Sequence, residues 1–196
     1  QNTGGSGSMN FSTLPVPLTD LNAGPIQVSG SAFPQLFDLD NDGLTDLVVG
    51  QSQGGIHYFE NVGVSSSYEF NLVTQNLGDM DLVDPEFLQA VSKPNFIRRN
   101  DTTFLFVGNR GGKILFYDDI DGNLQDGDSF NLIDDNYLGV DVGEYSSPFV
   151  SPLGNSDDFL LLVGGDLGGV LAFKTTDSSS LSIEEVNSPE VSIVVY

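Results

Sequence analysis

The chain has 196 residues, with 28 acidic residues against 6 basic ones, and its formal net charge at pH 7 is −22. This charge argues against nucleic acid as a partner, because binding to phosphates needs clustered Lys and Arg. Cysteine is absent from the sequence, which excludes disulfides, thiol nucleophiles and cysteine-ligated zinc. The acidity alone is equally consistent with simple solubility in a saline, calcium-containing medium.

The first stretch, Gln1 to Met9, is polar and rich in Gly and Ser. The nine-residue step from Asn2 to Phe11 recurs between Asn61 and Phe70. We therefore interpret residues 1–15 as the end of a preceding repeat unit, although Ser-Gly runs of this kind also occur as cloning linkers.

An acidic loop between two apolar, strand-like segments is the most specific motif in the chain. It carries carboxylates at Asp38, Asp40, Asp42 and Asp46, with a glycine at position 43. Calcium takes six to eight oxygen ligands from a turning backbone, and glycine permits the sharp turn. The loop leads into a hydrophobic run rather than a helix, so the motif is not an EF-hand.

An internal repeat follows from the spacing of glycines and aromatic residues. In three segments a glycine ends an apolar strand. A second glycine follows four residues after the first, and an aromatic residue stands nine residues after the first. The leading glycines are 58 and 56 residues apart: Gly50, Gly108 and Gly164. The frame predicts a β-hairpin, repeated three times.

Each predicted hairpin has further strand signals on both sides. A proline stands upstream of each one, at Pro34, Pro94 and Pro148, and an outer strand is predicted at residues 70–73 and again at 130–133. Four short strands per unit are typical of a β-propeller blade, whereas a β-sandwich would not repeat the glycine frame. The predicted fold is all-β: about three four-stranded β-propeller blades, an incomplete arc of a larger propeller.

The repeat divides the chain into five regions. Residues 176–196 are rich in Ser and acidic residues and are predicted to be a linker that leads toward a C-terminal sorting domain. The predicted regions are 1–15, the end of a preceding blade; 16–74, blade 1 with the acidic loop; 75–134, blade 2; 135–175, blade 3; and 176–196, the linker.

The run from Asp38 to Gly50 resembles the calcium-loop motif of the FG-GAP/VCBS repeat propellers, whose blades are related to those of the integrin α head. The resemblance extends over residues 1–175, and it is most specific in the first repeat. It implies that Ca²⁺ is bound by five residues: the side chains of Asp38, Asp40, Asp42 and Asp46, and the carbonyl of Leu44. The equivalent loops of the second and third repeats lack the alternating acids, so one site is expected.

Three further polar features have less specific interpretations. Arg98 and Arg99 occupy the second repeat's loop and are predicted to be solvated, the alternative being that one replaces the missing ion's charge. The acidic stretch 119–126 is predicted to be a polar turn rather than a second metal site. His57 lies in an alternating strand and is predicted to be a surface residue.

The resemblance also implies a location and a role. The C-terminal region is similar to the junction before the sorting domain in Bacteroidota proteins exported by the type IX secretion system, which implies the cell surface or the medium. The expected function is non-catalytic adhesion or ligand binding, with a glycan as one possible ligand. Two alternatives remain open: a cargo or subunit held by a larger surface complex, and part of a polysaccharide-active enzyme. An open arc also implies a partner, either the rest of the propeller or another chain.

Overall fold

The structure is a computed structural model, and the part of the chain it describes is all-β. The described residues are 15–22, 24–83, 87, 90–153, 158–177 and 180–185. They contain no α-helix; two 3-10 turns lie at Leu77–Asp79 and Tyr137–Gly139. None of their helical segments is long and apolar enough to cross a membrane.

Three antiparallel sheets follow one another along the chain, and in each the strands pair in sequence order. The first sheet consists of β1 (Ala32–Phe37), β2 (Asp46–Gln51), β3 (Ile56–Asn61) and β4 (Phe70–Thr74). The second sheet consists of β5 (Lys93–Arg99), β6 (Thr102–Gly108), β7 (Ile114–Asp118) and β8 (Asn131–Asp134). The third sheet consists of β9 (Ser147–Pro152), β10 (Phe159–Gly164) and β11 (Val170–Asp177), with β12 (Ser180–Glu185) paired to β11.

The repeated glycine frame corresponds to the central hairpin of each sheet. The three leading glycines, Gly50, Gly108 and Gly164, pair with the first residue of the next strand at Ile56, Ile114 and Val170. Residues at equal distances from these glycines are called equivalent below. The predicted outer strands of the first two units are confirmed as β4 and β8.

The sheets pack face against face, and their interfaces form the core. One buried cluster joins the first and second sheets through residues such as Val48, Tyr58 and Leu105. A second cluster joins the second and third sheets through residues such as Phe106 and Leu161. Strands buried on both faces read as continuous apolar runs, and Leu105–Gly108 is one of them.

The other face of the first sheet is covered by the segment that precedes β1. Ile26 and Val28 pack there against a small cluster that includes Val49 and Phe59. His57 lies opposite Val49 in the β2–β3 register and therefore belongs to this face. It is 7% exposed, so the prediction of a surface histidine was wrong. Alternation alone cannot show that a segment distant in sequence covers the outward face.

The third sheet extends past the end predicted for the third unit. Strand β11 continues to Asp177 rather than stopping at residue 175, and residues 180–185 form β12 instead of a linker. An edge strand is stabilised by backbone hydrogen bonds to its neighbour, so it tolerates the polar composition that suggested a linker. The predicted preceding blade at residues 1–15 lies almost wholly outside the described residues, as do residues 186–196.

The described strands do not form a closed ring. The main contacts of each sheet are with its neighbours in sequence, chiefly through the first strands β1, β5 and β9. The architecture is thus a stack of three similar sheets, with the acidic loop at the β1–β2 connection.

Candidate metal centre

Three of the predicted ligands come together in the loop between β1 and β2. One carboxylate oxygen from each of Asp38, Asp40 and Asp42 lies within 4.8 Å of the others. Ca²⁺ binds oxygens at about 2.3–2.6 Å, so oxygens separated by up to roughly twice that distance can share one ion. The three carboxylates therefore have a separation that suits a single calcium ion.

The loop's own backbone holds these carboxylates in place. The N–H groups of Asp42, Gly43 and Leu44 donate to Asp40 Oδ1, Asp38 Oδ2 and Asp42 Oδ1, at 3.1, 3.1 and 2.7 Å. Gly43 has φ +90°, a conformation that residues with a Cβ rarely adopt, although a Cβ there would meet no described atom within 4 Å. Each aspartate thus has one oxygen engaged by the backbone and a second oxygen available.

One of these second oxygens lacks a partner in the described part of the protein. Asp38 Oδ1 is buried from solvent and accepts no hydrogen bond. A buried carboxylate oxygen without a donor is unfavourable unless a cation compensates it. The donor set, all hard oxygens, together with this orphaned atom fits Ca²⁺ better than a metal that prefers nitrogen or sulfur.

Asp46, the fourth predicted acid, is placed differently from the other three. It is fully buried, and its oxygens accept from the N–H of Leu39 at 2.9 Å, the N–H of Asn61 at 2.8 Å and the hydroxyl of Tyr58 at 3.2 Å. It therefore ties both ends of the loop to β3. Its assignment as a metal ligand stays a prediction, as does that of the Leu44 carbonyl.

The electrostatics of the loop favour a positive ion. Burial raises the pKa of Asp40 above its usual value, and the neighbouring carboxylates of Asp42 and Asp38 add to that increase. Burial likewise raises the pKa of Asp46 and, most strongly, the pKa of the Tyr58 hydroxyl beside it. In all three groups a raised pKa means that the negatively charged form is disfavoured, and a bound divalent cation would stabilise that form.

An arginine of the second sheet reaches the acidic loop of the first. Arg98 donates from Nη1 to Asn41 Oδ1 at 2.9 Å and from Nη2 to the Leu39 carbonyl at 3.2 Å. Its guanidinium also lies 5.4 Å from the centre of the Phe37 ring. The prediction that Arg98 is solvated was wrong, because sheet packing brings β5 beside this loop.

A cleft of about 380 Å³ with a mixed polar and apolar lining lies next to the loop. Asp40 and Asn41 line it from the first sheet's acidic loop, and Arg98, Asp121 and Gln125 line it from the second sheet. Asp40 is common to the cleft and to the acidic triad. A ligand in this cleft would therefore be adjacent to a bound metal.

The second acidic stretch, residues 119–126, forms a turn, as predicted. Asp121 Oδ2 accepts from the N–H of Thr103 at 2.9 Å, and Asp121 Oδ1 accepts from the Thr103 hydroxyl at 2.6 Å. Asp126 Oδ1 accepts from the Thr74 hydroxyl at 2.7 Å. These carboxylates satisfy protein donors, which gives them a structural role.

Comparison of the chain with protein-family models, with curated proteins and with solved structures yields no match. The interpretation of the site therefore depends on its geometry and on the motif itself.

Sequence reasoning missed two contributors to the site, Tyr58 and Arg98. A local signal existed for Tyr58: its equivalent in the second sheet is Phe116, and only the first repeat has an acid, Asp46, four residues before the leading glycine. No local signal existed for Arg98, since its partners Leu39 and Asn41 are 59 and 57 residues away.

Proposed function

We propose that the chain is a calcium-stabilised, non-catalytic segment of a β-propeller-type repeat protein that serves adhesion or ligand binding. The observation that carries the proposal is the acidic triad with the unpartnered Asp38 Oδ1, set in the first of three similar sheets. A cation at this position would neutralise the loop and hold β1 and β2 in register. Its role would be structural.

The propeller assignment is supported by the arrangement of the sheets. Each is an antiparallel meander, and consecutive sheets pack face to face, chiefly through their first strands. Propeller blades are likewise four-stranded sheets, arranged side by side around a central channel. We also propose a secreted or cell-surface location and export by the type IX secretion system. These two proposals depend on the family resemblance.

The non-catalytic part of the proposal is supported by the chemistry beside the triad. Acid–base or electrophilic catalysis needs a group that can exchange a proton or stabilise developing charge near the reacting atoms. The basic residue lining the cleft is Arg98, and its guanidinium is already bonded to the loop and to Thr103. Ligand binding fits this cleft better than catalysis does.

Thermal unfolding in calcium and in EGTA tests the metal assignment. With calcium at about a hundred times its Kd, linkage predicts a rise in Tm of about 5 to 10 °C for a chain of this size. Asp40→Ala should abolish most of this rise, while Asp119→Ala, a change in the polar turn, should retain it. Magnesium should stabilise less, because it demands a smaller octahedral site.

Equal melting temperatures in calcium and EGTA would contradict the calcium assignment. A glycan array probed with the calcium-loaded chain then tests ligand binding. Glycan binding that Asp40→Ala removes would place the ligand at the cleft or make its binding depend on the metal; binding that survives the substitution would place it elsewhere.

A further inference from the structure

The two sheet interfaces share a specific junction around the leading glycine. A Cβ at Gly50 would lie 2.2 Å from the carbonyl oxygen of Ser92, and a Cβ at Gly108 would lie 2.2 Å from that of Ser146. Neither glycine has a positive φ. Both positions therefore require glycine because the next sheet's first strand passes against them.

A serine immediately before that next strand also forms hydrogen bonds to the hairpin it crosses. Ser92 Oγ accepts from the N–H of Gln51 at 2.8 Å, and Ser146 Oγ accepts from the N–H of Asn109 at 2.9 Å. Each serine stands two residues before a proline, in the sequences Ser92-Lys93-Pro94 and Ser146-Ser147-Pro148. A Ser-X-Pro strand start is thus the element that seats each sheet on the one before it.

The third sheet has the same glycine, but no part of the described chain is seated against it. No described atom lies within 4 Å of a Cβ built at Gly164, and its φ is not positive either. The second glycine of the hairpin, Gly168, likewise has open space, whereas its equivalents Gly54 and Gly112 would meet Ala90 and Gly143. Among the described residues, neither a close contact nor the backbone conformation explains why position 164 is a glycine.

The face beside Gly164 is apolar, and among the described residues nothing covers it, whereas its equivalents are buried. Val170 is 59% exposed, while Ile56 and Ile114, which are equivalent to it, are fully buried under the next sheet. Phe149, next to Pro148, is 57% exposed. An apolar sheet face of this kind favours burial against another surface.

From these observations we propose that this face of the third sheet, carrying Phe149, Gly164 and Val170, is a docking surface for a further sheet of the same repeat type. The occupant begins its first strand with Ser-X-Pro: its serine bonds to the Gly165 backbone and its proline packs on Gly164. The inference extends the repeat-protein part of the proposed function and does not depend on bound metal.

A second copy of this chain does not supply such a strand. Its first sheet has Ala32, not serine, two residues before Pro34. The face of that sheet that would dock is already covered by Ile26 and Val28. Two chains with a net charge of −22 also repel each other. The occupant is therefore a repeat sheet other than the first sheet of another copy.

Thiol labelling tests the docking surface, because the chain has no cysteine and Val170→Cys introduces a single reporter. The probe is the same variant extended after Glu185 by a duplicate of residues 75–134, the linker and second sheet with its own Ser-Lys-Pro start. Docking should slow labelling by at least about tenfold, since a buried thiol reacts only after local opening. Gly164→Ala in the extended chain should restore the fast rate.

The matched control is the chain without the extension. There Gly164→Ala should leave Tm unchanged, whereas Gly108→Ala should lower it strongly. An extension that stays unfolded, or that folds and leaves labelling fast, would overturn the proposal. So would loss of stability in the unextended Gly164→Ala variant.

A second copy as the occupant would give a different result. Concentration-dependent protection of the thiol in the unextended Val170→Cys variant, together with dimers in sedimentation, would assign the face to that copy and overturn the proposal. All arms are run in calcium and again in EGTA, so that failure of the metal assignment is recognised separately.

Discussion

The β1–β2 and β5–β6 connections join equivalent strand pairs in two entirely different ways. The first spans residues 38–45 and contains the acidic triad. The second is a two-residue turn, Asn100 and Asp101, whose φ values of 50° and 60° suit a tight hairpin. The equivalent strands thus pair in the same way whether their connection is an eight-residue acidic loop or a two-residue turn.

The first and second sheets also place the carboxylate of an equivalent hydrogen-bonded link on different segments. In the first sheet a buried carboxylate, Asp46, at the start of β2 accepts from the end of β3. In the second sheet the buried group on the hairpin strand is Thr103, and the carboxylate, Asp121, comes from the segment after β7. Both sheets thus link the hairpin strand to a later segment by hydrogen bonds. In the first sheet the charged partner is buried on the hairpin strand, and in the second sheet it lies on the segment after β7.

The largest effect is expected at Asp46. Asp46→Ala leaves three donors without their acceptor, and we expect a loss of about 3 kcal/mol in the free energy of unfolding. Thr103→Val, the matched change in the second sheet, should cost about 1 to 2 kcal/mol, because it removes one neutral donor to Asp121 and the acceptor of one Arg98 bond. Denaturant unfolding in EGTA measures both without a contribution from metal binding. Equal losses in the two variants would show that the first sheet does not depend on its buried carboxylate more than the second sheet depends on Thr103.

An intermediate effect is expected at Arg98, which connects the two loops. Arg98→Ala removes bonds to Leu39, Asn41 and Thr103 and should cost about 1 to 2 kcal/mol in EGTA. Combined with Asn41→Ala, the losses should be less than additive, since both variants break the same bond.

Arg99→Ala is the matched control for Arg98. The Arg99 guanidinium lies 5.9 Å from the centre of the Phe159 ring, toward the third sheet. The stability loss of Arg99→Ala should therefore add to that of Asn41→Ala in the double variant. Additivity for Arg98 as well would mean that it does not couple the loops.

The smallest effect concerns His57, which is equivalent to Leu115 and Leu171 in the other sheets. Burial lowers the pKa of His57. As pH falls below about 6.5, the unfolded chain takes up this proton before the folded chain does, so stability decreases. His57→Leu should therefore lose less stability than the wild type between about pH 7.5 and about pH 5.5. Parallel pH profiles for the two proteins would contradict this expectation.

Much of the fold follows from local pattern. The glycine frame, the prolines and the outer strands predicted an all-β repeat, and three four-stranded sheets lie where those signals fall. The ends were less predictable, since β12 is held by backbone pairing that leaves little trace in composition. The acidic triad was predictable as well, because its three aspartates and Gly43 lie close together in one loop.

Local sequence determined the strands, their turns and the acidic loop, since these depend on side-chain alternation, glycine and short-range Asx hydrogen bonds. Tertiary structure decided the rest: that Arg98 reaches the loop, that His57 is buried, and that Gly50 and Gly108 lie under a serine from the next sheet. These contacts join residues far apart in the sequence, as in the bond of Arg98 to Leu39 across 59 residues. No local pattern encodes such contacts, because they exist only after one sheet has packed on another.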